Sequence, residues 1–438
     1  MPYFLELQRL AEEVSLWADL RHEQGADVSG VVEGACKALK LARKELRKAE
    51  DGGANKEPDD LEGIRALRPE GPRRLWPRLK DQRLKDRMRG AWLGRAAGCT
   101  LGAPVENWSI SDMESLAARS GDPFPPEDYW GDHPWPEHVR YGMDNNGAYL
   151  KGRVRYVPVD DDVAYTLLGL LILEEYGPDF TTEDVAAAWI KYLPIAYTAE
   201  RVTLENLRDG EPPETAGVKR NPYMEWIGAA IRADAWGYAA AGWQEKSAEL
   251  AWRDGRLSHR RNGIYGEMFF AASISAAFAL DDPVEAIQIG LTEIPAECRL
   301  AADVRWALET GPQLTDWRDG RAAVDKRFGG MNSVHTNNNA CLTVFGLMLG
   351  AGDFTKTIGG TVAMGLDNDC TAATAGSIFG AAKGAQKIPE HWWKPFRNRT
   401  RTYMISQEWF SNSNVVDRFL TAAVRVWSGE GDQKDQRD

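Results

Sequence analysis

Apolar residues recur with helical spacing along most of this chain. A first stripe near the N-terminus contains Phe4, Leu7, Leu10, Ala11, Val14 and Trp17, and after Gly30 the pattern resumes from Val31 to Leu46. This spacing predicts a helical hairpin over residues 3–50. From Leu84 onward it predicts helices over residues 84–101, 161–176, 182–197, 224–241, 267–280, 283–291, 297–310, 338–350, 355–364 and 371–384. Few segments alternate as strands do, so the pattern predicts a mainly helical protein.

Three segments interrupt this periodicity. Residues 51–79 are rich in glycine, proline and charge, which predicts a linker or an irregular wrapping segment. We therefore place a boundary near residue 80, between an N-terminal helical extension with its linker (1–80) and a second domain (81–430). Residues 112–156 contain PFPPEDYWGDHPWPEH and predict a long loop, which in a compact domain is usually functional or wrapped against the core. The polar C-terminal tail is predicted to be frayed.

Composition narrows the class of protein. Of the 438 residues, 43% are hydrophobic, 27% are charged and 17 are tryptophan, which is enough apolar material for a sizeable core. The net charge of −12 and the pI of 5.2 disfavour nucleic acid and anionic membranes as partners.

The cysteines and the N-terminal sequence bear on location. Five scattered cysteines without a CxxC pair argue against a disulfide framework or a thiolate zinc site. No secretory signal and no membrane-spanning run is evident, so we expect a cytoplasmic protein.

Three consecutive carboxylates, Asp160, Asp161 and Asp162, stand directly before the apolar sequence VAYTLLGLLILEEYG. The N-cap residue of a helix is not yet helical, so neighbouring side chains there can converge on one point. One aspartate can be explained as an N-cap with the others solvated. Three in a row before a buried helix favour a bound cation instead.

A second acidic segment, Asp367-Asn368-Asp369, also precedes a predicted helix. Asp367 and Asp369 are two residues apart, so in an extended or turning segment they project to the same side. The D-x-[DN] pattern also begins an EF-hand loop, but that loop needs glycine and glutamate where this chain has Ala372 and Ile378. Five acidic groups favour Mg²⁺, Mn²⁺ or Ca²⁺, with two ions about 4 Å apart as the natural arrangement.

Glycines recur every fourth residue at Gly90, Gly94, Gly98 and Gly102. They leave a bare strip on one helical face, which can accept either the backbone of another helix or a ligand. The pattern favours neither alternative, and Gly98 and Gly102 are the candidate ligand contacts. Glu106 follows this strip and, taken alone, is one acidic residue in a turn.

Two polar segments supply further candidate substrate contacts. Asn262, Gly263 and Tyr265 belong to a glycine-bearing turn whose backbone N–H groups can face an anion. His335 and Asn339 belong to the sequence HTNNN, which is either a helix cap or a sugar-binding edge. The histidines form no HExxH pattern, which disfavours a zinc protease.

Taken together and in this order, the segments resemble the ADP-ribosylglycohydrolase family, which includes the dinitrogenase-reductase-activating glycohydrolase. Gly94 to Glu106 is similar to the family pattern G-x-x-x-G-x-x-L-G-x-P-x-E. Asp160 to Val163 is similar to T-D-D-T, and Gly365 to Cys370 is similar to G-x-D-x-D-[TSC]. The resemblance covers about residues 84–390 and leaves the first 80 residues outside.

The resemblance implies an all-α orthogonal multi-helix bundle that hydrolyses an N- or O-ribosyl (ADP-ribosyl) glycosidic bond. It implies two Mg²⁺ or Mn²⁺ ions that engage the diol of the terminal ribose. The expected substrate is an ADP-ribose-type or other ribosyl small molecule, or an ADP-ribosylated protein. The implied catalytic residues are Glu106, Asp161 and Asp367, with Glu106 beside the attacking water. The implied metal ligands are Asp160, Asp161, Asp162, Asp367, Asp369 and Cys370.

The chain departs from the family pattern where Asp160, Val163 and Cys370 replace threonines. One ligand position thereby becomes anionic and another becomes a thiol. Two alternatives follow. A hydrolase of a nucleoside-like or other N-glycoside is favoured by the Trp-rich loop at 124–135, since aromatic walls suit a stacked base or sugar. A catalytically silent ADP-ribose-binding module is favoured by Cys370 and opposed by Glu106.

Overall fold

A computed structural model describes residues 3–49, 56–79, 83–132 and 139–429 of the chain. Within these ranges the chain forms twenty α-helices, and its strands form two antiparallel two-stranded sheets. The mainly helical architecture is as predicted. None of the described helices is long and apolar enough to cross a membrane.

The described residues fall into two compact units. The smaller unit comprises Met1–Asn55 with Phe328–Asn332, and the larger comprises Lys56–Arg327 with Ser333–Asp438. The smaller unit contains α1 (Leu5–Glu23) and α2 (Ser29–Leu46), which confirms two helices over the predicted range. Neither helix contains a buried residue.

The larger unit contains the other helices and all described strands. Its helices are α3 (Leu61–Leu67), α4 (Leu84–Gly102), α5 (Ile110–Ser120), α6 (Asp161–Tyr176), α7 (Thr182–Tyr192), α8 (Thr198–Arg208), α9 (Pro213–Ala216), α10 (Ala233–Ala239), α11 (Gln244–Gly255), α12 (Asn262–Ala277), α13 (Pro283–Gly290), α14 (Arg299–Thr310), α15 (Trp317–Arg327), α16 (Thr336–Gly350), α17 (Phe354–Ala363), α18 (Asn368–Lys383), α19 (Glu390–Trp393) and α20 (Asn412–Ser428). Its strands are β1 (Val139–Arg140), β2 (Asp144–Asn145), β3 (Arg399–Arg401) and β4 (Trp409–Ser411), paired β1–β2 and β3–β4.

Residues 56–79 wrap the larger unit rather than serve as a free linker. Ile64 of α3 is fully buried, and Trp76 is nearly so. The backbone N–H of Leu75 donates to the carbonyl of Gly242 at 2.9 Å. This segment therefore lies with the larger unit, whereas the sequence pattern places the division near residue 80.

Most predicted helices are observed within a few residues of their expected ends, and three differ. The helix expected over 267–280 is α12, which already begins at Asn262 because the expected turn at residues 262–265 is helical. The helix expected over 182–197 stops at Tyr192 because Pro194 cannot donate to a helical turn. The helix expected over 224–241 is a 3₁₀ segment, Ile227–Arg232, followed by the short helix α10. There the N–H of Ile227 donates to the carbonyl of Val334 at 2.9 Å, so the backbone is bonded to a neighbouring segment.

The expected long loop over residues 112–156 was wrong in its first part. Residues 110–120 form α5, which is capped by Ser109 accepting from the N–H of Asp112 and ends at Gly121 with φ 71°. A serine cap and a C-terminal glycine are the ordinary signals of a helix, but the adjacent proline-rich sequence obscured them. The remaining described residues are irregular apart from the β1–β2 hairpin and a 3₁₀ turn at Asn146–Tyr149.

Helices α4 and α18 pack with their backbones in direct contact. A Cβ added at Gly98 would collide with the carbonyl of Ala372, and one added at Gly102 would collide with the Cα of Asp369. Gly90 and Gly94 face Gly380 and Gly376 in the same way. The glycine strip is thus a helix-packing surface, and it brings the start of α18 against the end of α4.

We expect Gly98→Ala to lower the free energy of unfolding by about 1–3 kcal/mol, because its methyl group has no space beside α18. Gly360→Ala is the matched control, since Gly360 also lies within a helix but a Cβ there meets no atom within 4 Å. The control should be unchanged or more stable by up to about 1 kcal/mol. Urea denaturation measures both, and a Gly98→Ala protein as stable as the control would contradict the close packing.

Candidate metal and catalytic centre

The two acidic segments meet although they are far apart in the chain. Asp160 is the N-cap of α6, with an extended backbone (φ −155°, ψ 152°), and its side chain accepts from the N–H of Asp162. Oxygens of Asp160, Asp162 and Asp369 all lie within 4.8 Å of one another. The expected capping role and the expected clustering therefore occur together at this helix start.

The second segment enters its helix through a left-handed turn. Gly365 and Leu366 have φ values of 72° and 65°, and Asp367 is then the N-cap residue of α18. A positive φ is unusual for leucine. The carbonyl of Leu366 accepts from the N–H of Asn107 at 3.0 Å, which ties this turn to the residue after Glu106. Ligand atoms of Asp367, Asp369 and Cys370 form a second group within 4.8 Å.

Arg95 of α4 joins the first segment to the core. Its guanidinium is fully buried, and it lies 3.0 Å from Oδ1 of Asp162 and 2.6 Å from Oδ2 of Asp234. It also donates to the backbone carbonyl of Asp162. The helix whose glycines pack on α18 therefore also holds the start of α6.

Arg140 lies within the carboxylate cluster and was not identified from the sequence. One terminal nitrogen donates to Oδ2 of Asp160 at 2.8 Å and to Oδ2 of Asp369 at 3.1 Å. The other donates to Oε2 of Glu106 at 2.9 Å and to the carbonyl of Ala103 at 2.9 Å. Arg140 belongs to no sequence motif. The only feature of the sequence that pointed to this region was the length of the irregular segment that contains Arg140.

Burial dominates the electrostatics of the cluster. It raises the pKa of Asp162 to about 8, against the opposing effect of Arg95. Burial, followed by the charge of Glu106, raises the pKa of Asp367 to about 6 and raises that of Asp369 well above the usual range. Burial, followed by the charges of Asp160 and Asp162, raises the pKa of Asp161 well above the usual range. The cluster is thus short of positive charge despite its two arginines.

Among the described residues, two buried carboxylate oxygens of Asp367 and Asp369 accept from no donor. These are Oδ1 of Asp367 and Oδ1 of Asp369, in residues that are 4% and 1% exposed. A buried carboxylate oxygen without a donor is costly unless a cation or another donor binds it. Hard oxygen ligands of this kind suit Mg²⁺ or Mn²⁺, so the residues present fit a divalent cation.

Glu106 and Asp161 are the more accessible carboxylates of the cluster, and three tyrosines lie beside Asp161. Glu106 and Asp161 are partly exposed, whereas the other four carboxylates are buried. Tyr141 accepts from the N–H of Asp161 at 3.2 Å and stacks on Tyr403 with ring centroids 4.7 Å apart. Tyr197 meets the edge of Tyr141 and is 50% exposed.

The proline-rich loop contains one described tryptophan, Trp130, and this residue does not form an exposed aromatic wall. Trp130 is buried, and its indole N–H donates to the carbonyl of Leu101 at 2.9 Å. Trp135 lies outside the described residues. The described part of the 124–135 loop therefore contributes no exposed tryptophan, and an aromatic wall formed by this loop stays a prediction.

The bare faces of Gly98 and Gly102 are covered by α18, so any substrate contact by these two residues stays a prediction. Asn262, Gly263 and Tyr265 lie within the first turns of α12 and are buried. The Asn262 side chain bonds to Glu225 and to the N–H of Leu300. Their described hydrogen bonds go to neighbouring elements rather than to the cluster, so their substrate role stays a prediction.

His335 and Asn339 organise the start of α16. Nδ1 of His335 accepts from the N–H of Asn337 at 3.2 Å, so His335 is the cap. The Asn339 amide donates to the carbonyls of Ser333 and His335, while its oxygen accepts from the N–H of Asp367 at 3.3 Å. Asn339 therefore supports the acidic segment directly, and substrate contact by either residue remains a prediction.

The comparisons with known proteins agree with this architecture. The chain matches the family model for ADP-ribosylglycohydrolase over residues 80–426. It is similar to a solved structure described as an ADP-ribosylglycohydrolase-related protein complex, with a TM-score of 0.55 and 20% identity over 79% of this chain and 100% of that chain. A comparison with curated proteins gives no match.

The structural likeness shows an all-α fold of this type, and the family model covers most of the chain. The family model makes the protein a glycoside hydrolase. The chain belongs to the ADP-ribosylglycohydrolase family.

The partly buried cap His335 predicts a specific pH dependence. Burial and the nearby Arg299 lower the pKa of His335 to about 4. The pKa of a histidine in the unfolded chain is about 6.5, so the unfolded state takes up a proton at a higher pH than the folded state does. We expect wild type to lose stability relative to His335→Asn, which keeps a capping side chain, as the pH falls from 6.5 to about 4. Denaturant titrations at several pH values measure this, and a constant difference would contradict it.

Proposed function

We propose that this protein hydrolyses an N- or O-ribosyl bond of an ADP-ribosyl compound with the help of Mg²⁺ or Mn²⁺. The observation that carries the proposal is the pair of unpartnered buried oxygens on Asp367 and Asp369, close to the partly exposed Glu106 and Asp161. Substrates of this chemistry include ADP-ribose-type or other ribosyl small molecules and ADP-ribosylated proteins. Nucleic acid and membrane surfaces are not expected partners.

Glu106 and Asp161 have different proposed roles because they lie at different places in the site. When bound, a divalent cation supplies charge that orients the ribose diol and water. Glu106 is fixed through both oxygens, by Arg140 and by the side-chain amide of Asn107, and it is the candidate acceptor for a proton of the attacking water. Asp161 lies at the accessible edge, where a carboxylate stabilises the positive charge that develops at C1.

Two groups of ligand atoms support the proposed metal ligands. Asp367, Asp369 and Cys370 form one, and Asp160, Asp162 and Asp369 form the other. Two such groups are the basis for expecting two ions. We also propose a catalytic domain over residues 81–430 with an N-terminal extension over 1–80, of which residues 56–79 pack with the larger unit. A cytoplasmic location is proposed on the basis of five free cysteines.

A second candidate is a hydrolase of a nucleoside-like or other N-glycoside. The stack of Tyr141 on Tyr403 and the exposed ring of Tyr197 favour it, because aromatic faces bind a base or a sugar. A binding module without turnover is the remaining alternative. Its supporting feature is Cys370, whose thiol donates to Asp162 at 3.0 Å.

We expect Glu106→Gln to lower kcat/KM about 10²–10⁴-fold, because the amide cannot accept the proton of water. The assay uses ADP-ribosylated protein, free ADP-ribose conjugates and a nucleoside panel, each with Mg²⁺ or Mn²⁺. The matched control is Glu114→Gln, at an exposed glutamate of α5 paired with Arg318. Release of ADP-ribose supports the first candidate and release of a free base supports the second. Binding without turnover by wild type supports the third.

We expect exhaustive chelation to abolish turnover and added Mg²⁺ or Mn²⁺ to restore it. The reason is that the cluster carries more carboxylates than its two arginines compensate. A chelated sample that is checked for residual metal and retains full activity would exclude a metal-dependent reaction.

A further inference from the structure

We propose that the Arg140 guanidinium fills one of the two cation positions of the acidic cluster, so that this protein binds one divalent ion instead of two. This inference rests on the proposed function for the identity of the site, and it replaces the expectation of a binuclear centre. It assigns Arg140 a fixed structural charge at the position that a second ion would occupy.

The first step is that the group Asp160, Asp162 and Asp369 already has protein donors. Oδ2 of Asp160 and Oδ2 of Asp369 accept from the same nitrogen of Arg140. Oδ1 of Asp160 accepts from the N–H of Asp162. The two oxygens of Asp162 accept from Arg95 and from the thiol of Cys370. Any ion at this group would have to displace donors that the chain itself supplies.

The second step is spatial. The Arg140 nitrogen lies between Asp160 and Asp369, at 2.8 and 3.1 Å from their oxygens. A Mg²⁺ ion would bind those same oxygens at about 2.0–2.1 Å and would compete for the same space. The guanidinium carries a positive charge at every physiological pH, so it also repels an ion at this position.

The third step is that Arg140 is held in place by a supported hairpin. Its side chain is 9% exposed and is bonded to Glu106 and to the carbonyl of Ala103 as well. β1 pairs with β2, where buried Asp144 accepts from the N–H of Val159, from Tyr156 and from Arg401. Val159 directly precedes Asp160, so its hydrogen bond to Asp144 connects the hairpin to the acidic segment.

The fourth step concerns the other position. Oδ1 of Asp367 and Oδ1 of Asp369 are buried and accept from no described residue. Ligand atoms of Asp367, Asp369 and Cys370 lie within 4.8 Å of one another, so a cation at this group can bind carboxylate oxygens that no described donor occupies. Asp369 therefore serves both positions, with one oxygen on Arg140 and the other free for the ion.

The test is the stoichiometry of Mn²⁺ binding to the full chain, measured by equilibrium titration and by electron paramagnetic resonance without substrate. We expect one Mn²⁺ per chain for wild type, with the spectrum of an isolated ion. Arg140→Ala should bind a second Mn²⁺ and show the spectrum of a coupled pair. Arg140→Lys should stay at one ion, because it keeps the positive charge.

The control is Arg153→Ala, which removes a half-exposed arginine paired with Asp132 outside the cluster and should also bind one ion. Two ions in wild type overturn the inference, and so does a folded Arg140→Ala protein that still binds one. If Arg140→Ala does not fold, the wild-type count and spectrum decide the question. One ion in wild type and two in Arg140→Ala uphold the inference even if no ribosyl compound is hydrolysed, an outcome that would refute only the proposed function.

Discussion

The structure depends on the direct backbone contact between α4 and α18. Side chains at Gly98 or Gly102 would hold the two helices apart, since the backbone of α18 occupies the space where a Cβ would be. Because the start of α18 carries Asp367 and Asp369, this contact sets their distance from Glu106, which follows α4 after the 3₁₀ turn Ala103–Val105. Arg95, on the same helix, holds the start of α6 through Asp162. One helix thereby positions both acidic segments.

This close packing buries several negative charges, and the arginines of the cluster neutralise them only in part. Four carboxylates are buried around the cluster, and burial raises the pKa of Asp162, Asp367 and Asp369. Arg95 and Arg140 compensate one side, whereas the unpartnered oxygens of Asp367 and Asp369 remain on the other. This asymmetry is the basis for proposing that the site combines the fixed charge of Arg140 with one exchangeable metal ion.

Much of the helical structure was predictable, because capping residues and the spacing of apolar residues are visible in the local sequence. Asp160 before VAYTLLGLL and Asp367 before an alanine-rich segment are capping positions next to apolar sequence, and both are observed helix starts. Local signals failed where neighbouring segments supplied the hydrogen bonds. The 3₁₀ segment at Ile227–Arg232 is one example, and α5, obscured by the proline-rich sequence that follows it, is another.

The sequence by itself determined helices such as α4, α6 and α18, the two acidic segments and, through three ordered motifs, the family. Only the tertiary structure decided that the glycine strip faces α18 rather than a ligand, since both uses require the same bare surface. It likewise decided the place of Arg140, which no motif marks. A motif records neighbours in the chain, whereas Arg140 meets Glu106, Asp160 and Asp369 through contacts across 34, 20 and 229 residues. The charge balance of the site is a property of that folding and not of any segment alone.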